Sequence, residues 1–311
     1  VHCDNARRGL GGSVAADYDA AARSIDIRAD LFVEVSAMLF RFTGQISLGS
    51  FAVRTLIVVA YAVIFAPVVM IVVTSFFAQE IVSFPPPGLS LKWYANALSK
   101  PEFLRGLMTS FQVALLATAI GVPLGTAAAL AIVRGEFRGR QALSSFLLAP
   151  LAVPGVVAGS GLYMFYVLAE DLLDRDIKAT TEGLVAAHTL LAIPWTVRLV
   201  VASLQGLDRA AEEAAANLGA SPFTVFRRIT LPMMRSGIVA AAMFSFIQSF
   251  ENLDLSMLLV GPGRITLPVA MLNYLEFRID PTLAAVATVQ IALVGILMVV
   301  TDRFVKLSRV V

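Results

Sequence analysis

The chain reads as an all-α integral membrane protein with six transmembrane helices and both termini in the cytoplasm, on three observations. First, 58% of its 311 residues are hydrophobic and only 15% charged, with a mean hydropathy of +0.80, too apolar for a soluble domain of this length. Second, several apolar runs exceed the roughly 18 residues that mark a spanning helix, and the period-two alternation of a membrane barrel is absent. Third, the basic residues between the runs alternate in density. One set of connections, from Arg41 and Arg54 through Arg134, Arg138, Arg140, Arg209, Arg227, Arg228 and Arg235 to Arg303, Lys306 and Arg309, holds twelve lysines and arginines; the opposite set holds seven. The richer set belongs in the cytoplasm.

Residues 1–50 are a mixed, charged lead-in with an amphipathic patch (Ile25, Ile27, Leu31, Phe32, Val35, Leu39). Lacking a short basic start followed at once by an apolar core, they are no cleavable signal peptide and read as a poorly packed N-terminal cytoplasmic extension. Met38, shortly before the first span, leaves open that part of this stretch reflects a mis-set start. Residues 51–311 form the transmembrane domain. Its first span covers about Thr55 to Phe77 and is closed off by Phe84-Pro85-Pro86-Pro87-Gly88, which cannot continue a helix. Leu91, Trp93, Tyr94 and Leu98 then outline a short amphipathic helix suited to the membrane surface. The second span runs from about Ser110 to Val133, the third from Leu143 to Leu168 and the fourth from Gly183 to Leu199. The fifth covers about Gly237 to Val260 and the sixth Leu283 to Phe304.

Between the fourth and fifth spans, at about 205–235, lies a two-helix module. Ala210, Ala211, Ala214, Ala215 and Leu218 share one side of a short helix, and Gly219 ends it in the left-handed conformation that a Cβ would penalise. Ser221 as N-cap and Pro222 at the first position start a second helix, with Arg227 and Arg228 near its end and Leu231-Pro232 expected to break it. The pattern Glu213-Ala214-Ala215, three residues, Gly219, nine residues, Ile229, one residue, Leu231-Pro232 resembles the EAA loop of the permease subunits of bacterial binding-protein-dependent ABC importers, without departure from the family signature.

That resemblance implies a type I ABC importer permease (MetI-like) fold in the bacterial inner membrane. It implies no enzymatic activity on this chain and no cofactor here, with ATP and Mg held by a separate ATPase. The implied partners are two ABC ATPase subunits, a second permease subunit, identical or homologous, and a periplasmic solute-binding protein. Membrane lipid surrounds the chain, and nucleic acid has no part. Glu213, Ala214, Ala215, Gly219, Ile229, Leu231 and Pro232 would couple to the ATPase, the glutamate by polar contacts and the alanines by close packing. Consistent with this, the sequence has no Gly-x-x-x-x-Gly-Lys-Ser/Thr loop; Gly121-Val-Pro-Leu-Gly125 lacks the lysine. The single Cys3 excludes an intrachain disulfide, and no histidine cluster or metal-ligand spacing supports a membrane-embedded enzyme.

The expected pathway lies in the middle spans. Gly121/Gly125 and Gly155/Gly159 have the spacing that lets helices approach closely, whereas Pro154-Gly155 and Pro194 either pack in ordinary helices or interrupt one beside a cavity. In the fifth span Ser245, Gln248, Ser249, Asn252 and Ser256 recur at helical spacing, with Glu251 and Asp254 as expected neighbours on the helix surface. At about 1.5 Å per residue from Gly237, Glu251 would stand about 21 Å from the inner surface, where a solute arriving from outside would meet it. Gln248, Glu251, Asn252 and Asp254 are therefore the candidate pathway residues; a shorter helix with these groups at its outer end is the alternative. The polyamine (spermidine/putrescine) branch is similar in carrying acids here, then a Gly-Pro turn like Gly261-Pro262, a segment like Leu89 to Tyr94 and a turn like Phe137-Arg-Gly139. Glu251-Asn252 in place of a pair of acids keeps other cargoes open: another amine, an opine, a phosphonate or iron. An ion-coupled secondary transporter is the rival outside the class, although the inverted repeats such proteins usually show are missing.

Overall fold

A computed structural model describes residues 48–81 and 83–305; the N-terminal extension up to residue 47 and the basic tail from Lys306 onward lie outside the described residues. The chain divides into two compact units, Val1–Val69 and Met70–Val311. In the first, the described residues belong to α1 (Leu48–Thr74), which is apolar around its whole circumference and whose stretch Ala52–Thr74 reads as a membrane span.

The second unit is helical throughout, with no strand among the described residues beyond an isolated bridge between Phe77 and Leu89. That bridge is fixed by α2 (Lys92–Ser99): the Trp93 indole N–H donates to the Phe77 carbonyl at 2.6 Å, and the Tyr94 and Ser75 hydroxyls bond at 2.6 Å. The amphipathic helix is thus pinned by a buried tryptophan on one face while Leu91 and Leu98 stay exposed on the other.

Three helices make the centre: α3 (Pro101–Arg134), α6 (Thr181–Gln205) and α9 (Arg235–Phe250). Their contact rests on missing side chains. A Cβ on Gly121 would lie 2.6 Å from that of Ala192, and one on Gly125 would lie 2.6 Å from that of Thr196, so the glycine pair lets α3 seat directly on α6. Pro194, between those two positions, leaves α6 unbroken. Gly125→Leu should overpack this contact at a cost of about 1–3 kcal/mol, read as a lower melting temperature in detergent and reduced membrane abundance; a wild-type melt would remove the glycine pair from the packing argument.

Around the centre stand α5 (Gly155–Leu173), α11 (Leu267–Phe277) and α12 (Thr282–Val305). At one end Phe103, Leu267, Ala270, Tyr274 and Val286 join α3, α11 and α12; at the other Ala129, Val200, Leu204, Met234 and Ala241 join α3, α6 and α9. Glu170 closes the loop after α5, accepting from the Lys178 ammonium at 2.5 Å and from the Ile177 N–H at 2.7 Å.

Five helices among the described residues are long and apolar enough to cross a membrane, and a sixth crossing exists only if α8 (Pro222–Met233) and α9, bent by 64° at Met234, count as one. Two expected spans are not continuous. The third, read from Leu143 to Leu168, begins as α4 (Arg140–Leu148), passes through a 3-10 turn over Ala149–Ala152 and restarts at Gly155 behind Pro154. Pro150 and Pro154 supply no backbone N–H and force that break. The fifth, read from Gly237 to Val260, stops at Phe250 and resumes only as the single turn of α10 (Ser256–Leu259). The second span, in contrast, starts earlier than its hydropathy suggests, at Pro101.

Candidate functional site

The two-helix module sits at the end of the bundle where α3 and α6 finish. Its first helix, α7 (Ala210–Asn217), closes in a Schellman turn: Gly219 takes φ +84°, its N–H donates to Ala216 at 2.9 Å and the Ala220 N–H donates to Ala215 at 3.1 Å. Ser221 then caps α8, its hydroxyl accepting from the Thr224 N–H at 3.3 Å with Pro222 at the first position. Both follow the sequence expectation, but the end of α8 does not. Leu231-Pro232 leaves the helix running to Met233, because a π turn over Phe226–Thr230 widens it and lets the Leu231 N–H reach the Phe226 carbonyl. The proline therefore enters without breaking the rod, Arg227 and Arg228 stand in the π turn, and the corner falls at Met234.

Of the seven expected coupling residues, Glu213, Ala214, Gly219, Leu231 and Pro232 are exposed, while Ala215 and Ile229 are half-buried. Leu218 and Phe223 add the most exposed apolar area, at 89% and 69%. The side that the alanine pattern marks as smooth is thus turned outward.

The residue that fixes the module's angle is one the signature omits. Glu212 accepts from Arg134 Nη2 at its Oε1 at 3.2 Å and from the Thr230 hydroxyl at 2.9 Å, and its Oε2 forms an ion pair with Arg134 Nε at 3.2 Å. Its carboxylate ties α7 to the end of α3 and to the π turn of α8. Arg209 adds a second tie, donating to the Val133 carbonyl at 2.8 Å. Adjacent glutamates on a helix point about 100° apart, so one of Glu212 and Glu213 had to face inward; only the position of Arg134, 78 residues earlier, decides which.

The second candidate site surrounds the break in the fifth span. A cavity of about 550 Å³ lies between α4, α5 and α6, with Asn252 and Leu255 also in its lining. Pro150, Pro154's neighbour Gly155, and Pro194 all line it, so the alternative in which Pro154-Gly155 interrupts a helix beside a cavity is the one the fold adopts. The lining is aliphatic and aromatic, with Asn252 as its one amide.

The candidate pathway residues are split by the break. Asn252 reaches the cavity, and its side-chain oxygen accepts from the Leu255 N–H at 2.9 Å, an N-cap arrangement for the turn that follows. Glu251 is exposed at the end of α9, and Gln248 is half-buried on that helix. Asp254 packs at the start of α5, 2.6 Å from where a Gly155 Cβ would be, a place where a carboxylate suits the helix dipole. Glu251 and Asp254 are therefore not neighbours on one helix face. The three serines of the same pattern, Ser245, Ser249 and Ser256, are buried. Ser249 and Ser256 bond His188, whose partners no sequence spacing indicates. Among the described residues no group of three or more His, Cys, Asp or Glu could hold a metal ion.

Residues 121–309 match the family described as "Binding-protein-dependent transport system inner membrane component". The chain is 30% identical over 242 residues to the putrescine transport system permease protein PotI of Escherichia coli (strain K12), covering 78% of this chain and 86% of that protein. It is 26% identical over 249 residues to the spermidine/putrescine transport system permease protein PotC of the same organism, covering 80% and 91%. In fold it is similar to a chain of the bacterial alginate ABC transporter in complex with alginate pentasaccharide-bound periplasmic protein, with a TM-score of 0.65 at 15% identity over 81% of this chain and 92% of that one.

Proposed function

The chain belongs to the family of inner-membrane components of binding-protein-dependent transport systems, and from that premise we propose that it is the permease subunit of an ATP-driven importer of putrescine, spermidine or a related amine. The likeness to PotI over most of both chains carries the cargo assignment. In this reading the chain pairs with a second permease subunit, two ATPase subunits and a periplasmic solute receptor, and residues 51–311 act as the transmembrane domain. The exposed module faces the cytoplasm and seats Glu213, Ala214, Leu218 and Phe223 in a cleft of the ATPase, which binds ATP and Mg. Closure of the ATPase dimer then moves α7 and α8 as one body, because Glu212 ties them together and to α3.

At the other end of α9, the break presents Glu251 and Asn252 to the solute. An amine cation suits the carboxylate of Glu251, and the methylene chain between its nitrogens suits the apolar cavity walls. Asp254 serves to hold the start of α5, and Gln248 borders the route from α9. Uptake of radiolabelled putrescine by cells expressing the chain with its ATPase and second permease tests this. Transport should stop when cellular ATP is removed, and Glu251→Gln should raise KM about tenfold, equivalent to about 1.4 kcal/mol. Uptake that outlives ATP but collapses with the proton gradient would reject the importer. ATP-driven uptake of another solute, with neither putrescine nor spermidine carried, would reject only the cargo.

A further inference from the structure

His188 is fully buried on α6 and lies opposite the break in the fifth span. Its Nδ1 is 2.8 Å from the Ser249 hydroxyl, one residue before α9 ends, and its Nε2 is 3.2 Å from the Ser256 hydroxyl, the first residue of α10. Ser249 and Ser256 are themselves buried, at 3% and 0% exposure, so neither hydroxyl can turn to water instead. One imidazole thus bonds both ends of the interruption that contains Glu251, Asn252 and Asp254. A turn below it, Ser245 donates to the Ala192 carbonyl and bonds the Thr196 hydroxyl, both at 3.2 Å, continuing the same polar seam between α6 and α9. The Ser256 bond is the one that crosses the break. Packing seats α10 as well, with Leu255 and Leu259 buried against α3, α5 and α6 and the Ala179 N–H donating to the Leu259 carbonyl at 3.2 Å, but the bonds of the intervening chain itself are local: the Asn252 N–H to the Ser249 carbonyl, the Leu255 N–H to Asn252, and the Met257 N–H to the Leu253 carbonyl.

We infer that His188 is a positioning residue: it fixes the distance between the two ends of the broken fifth span and so holds Asn252 at the cavity. The two ring nitrogens of an imidazole suit the task. They are rigidly separated, and a neutral ring offers one donor and one acceptor to two hydroxyls that can each take either role. An apolar side chain of similar volume would fill the space while leaving both serines unpartnered, and burial makes such groups seek new partners by moving. The inference deepens the pathway reading above, which gives the position of Asn252 its meaning, but its test needs no transported solute.

In a Cys3→Ser background, the thiol of an Asn252→Cys variant is labelled with a maleimide, and Leu218→Cys on the distant module serves as reference. His188→Leu should change the labelling rate at position 252 about tenfold and leave position 218 unchanged. Ser249→Ala with Ser256→Ala should reproduce the change, and adding His188→Leu to that pair should do little more, since all three act through one set of bonds. His188→Gln, which keeps a donor and an acceptor, should recover most of the parental rate. Should His188→Leu fail to insert, the serine pair and the glutamine variant carry the same comparison. Unchanged labelling at position 252, or a parallel rise at both positions signalling general loosening, would overturn the assignment.

Discussion

A Gly219→Val protein should reach the membrane at normal abundance and yet import solute at least about tenfold more slowly. The corner between α7 and α8 depends on a backbone with φ +84° at this residue, a conformation that costs a side-chain-bearing residue about 1–2 kcal/mol and a β-branched one most. No atom lies within 4 Å of the place where a Cβ would stand, so the substitution meets no clash and removes no core contact. Its effect is confined to the angle between the two helices. The Schellman bonds of Gly219 and Ala220 would be exchanged for a different turn, swinging Phe223 and Leu218 out of register with each other. Membrane abundance by immunoblot and uptake by radiolabel check the two halves of this expectation. Normal uptake would mean that the module's angle does not matter to coupling.

Breaking the tie behind the module should have the next largest effect. The Arg134 and Glu212 side chains are only 20% and 17% exposed, so removing one leaves the other charge poorly solvated, at about 1–3 kcal/mol. Arg134→Ala and Glu212→Ala should each lower uptake about tenfold while α3 and α6 remain packed, since their glycine contacts are remote from this pair. The double exchange Arg134→Glu with Glu212→Arg should restore a large part, because the Thr230 hydroxyl can accept from an arginine as readily as it donates to a carboxylate. Single variants with normal transport would show that Glu212 holds nothing that coupling needs.

The module was readable from the sequence because its determinants are local: Gly219, Ser221 and Pro222 each act on the backbone within a few residues of themselves. The π turn was not, since widening a helix at Phe226–Thr230 depends on how Pro232 must fit below it. The apolar spans were likewise readable in rough position, yet hydropathy averages over windows longer than the interruptions at 149–154 and 251–255. Asn252 gave a usable hint, being a capping residue three places before the backbone group it bonds. Glu212 and His188 gave none, because their partners come from helices whose rotational setting is decided by packing.

The 64° corner at Met234 makes α9 a crank arm. Its sixteen residues, about 24 Å at 1.5 Å per residue, join the elbow at one extremity to the interrupted segment at the other. Met234 is wholly enclosed by the ends of α3 and α6, and at the opposite tip Ser249 and Phe250 are buried as well, so the rod is held at both extremities and a displacement of the elbow reaches the interrupted segment through a stiff body. A pivot of about 10° at the elbow carries the tip by about 4 Å, comparable to the width of one methylene chain.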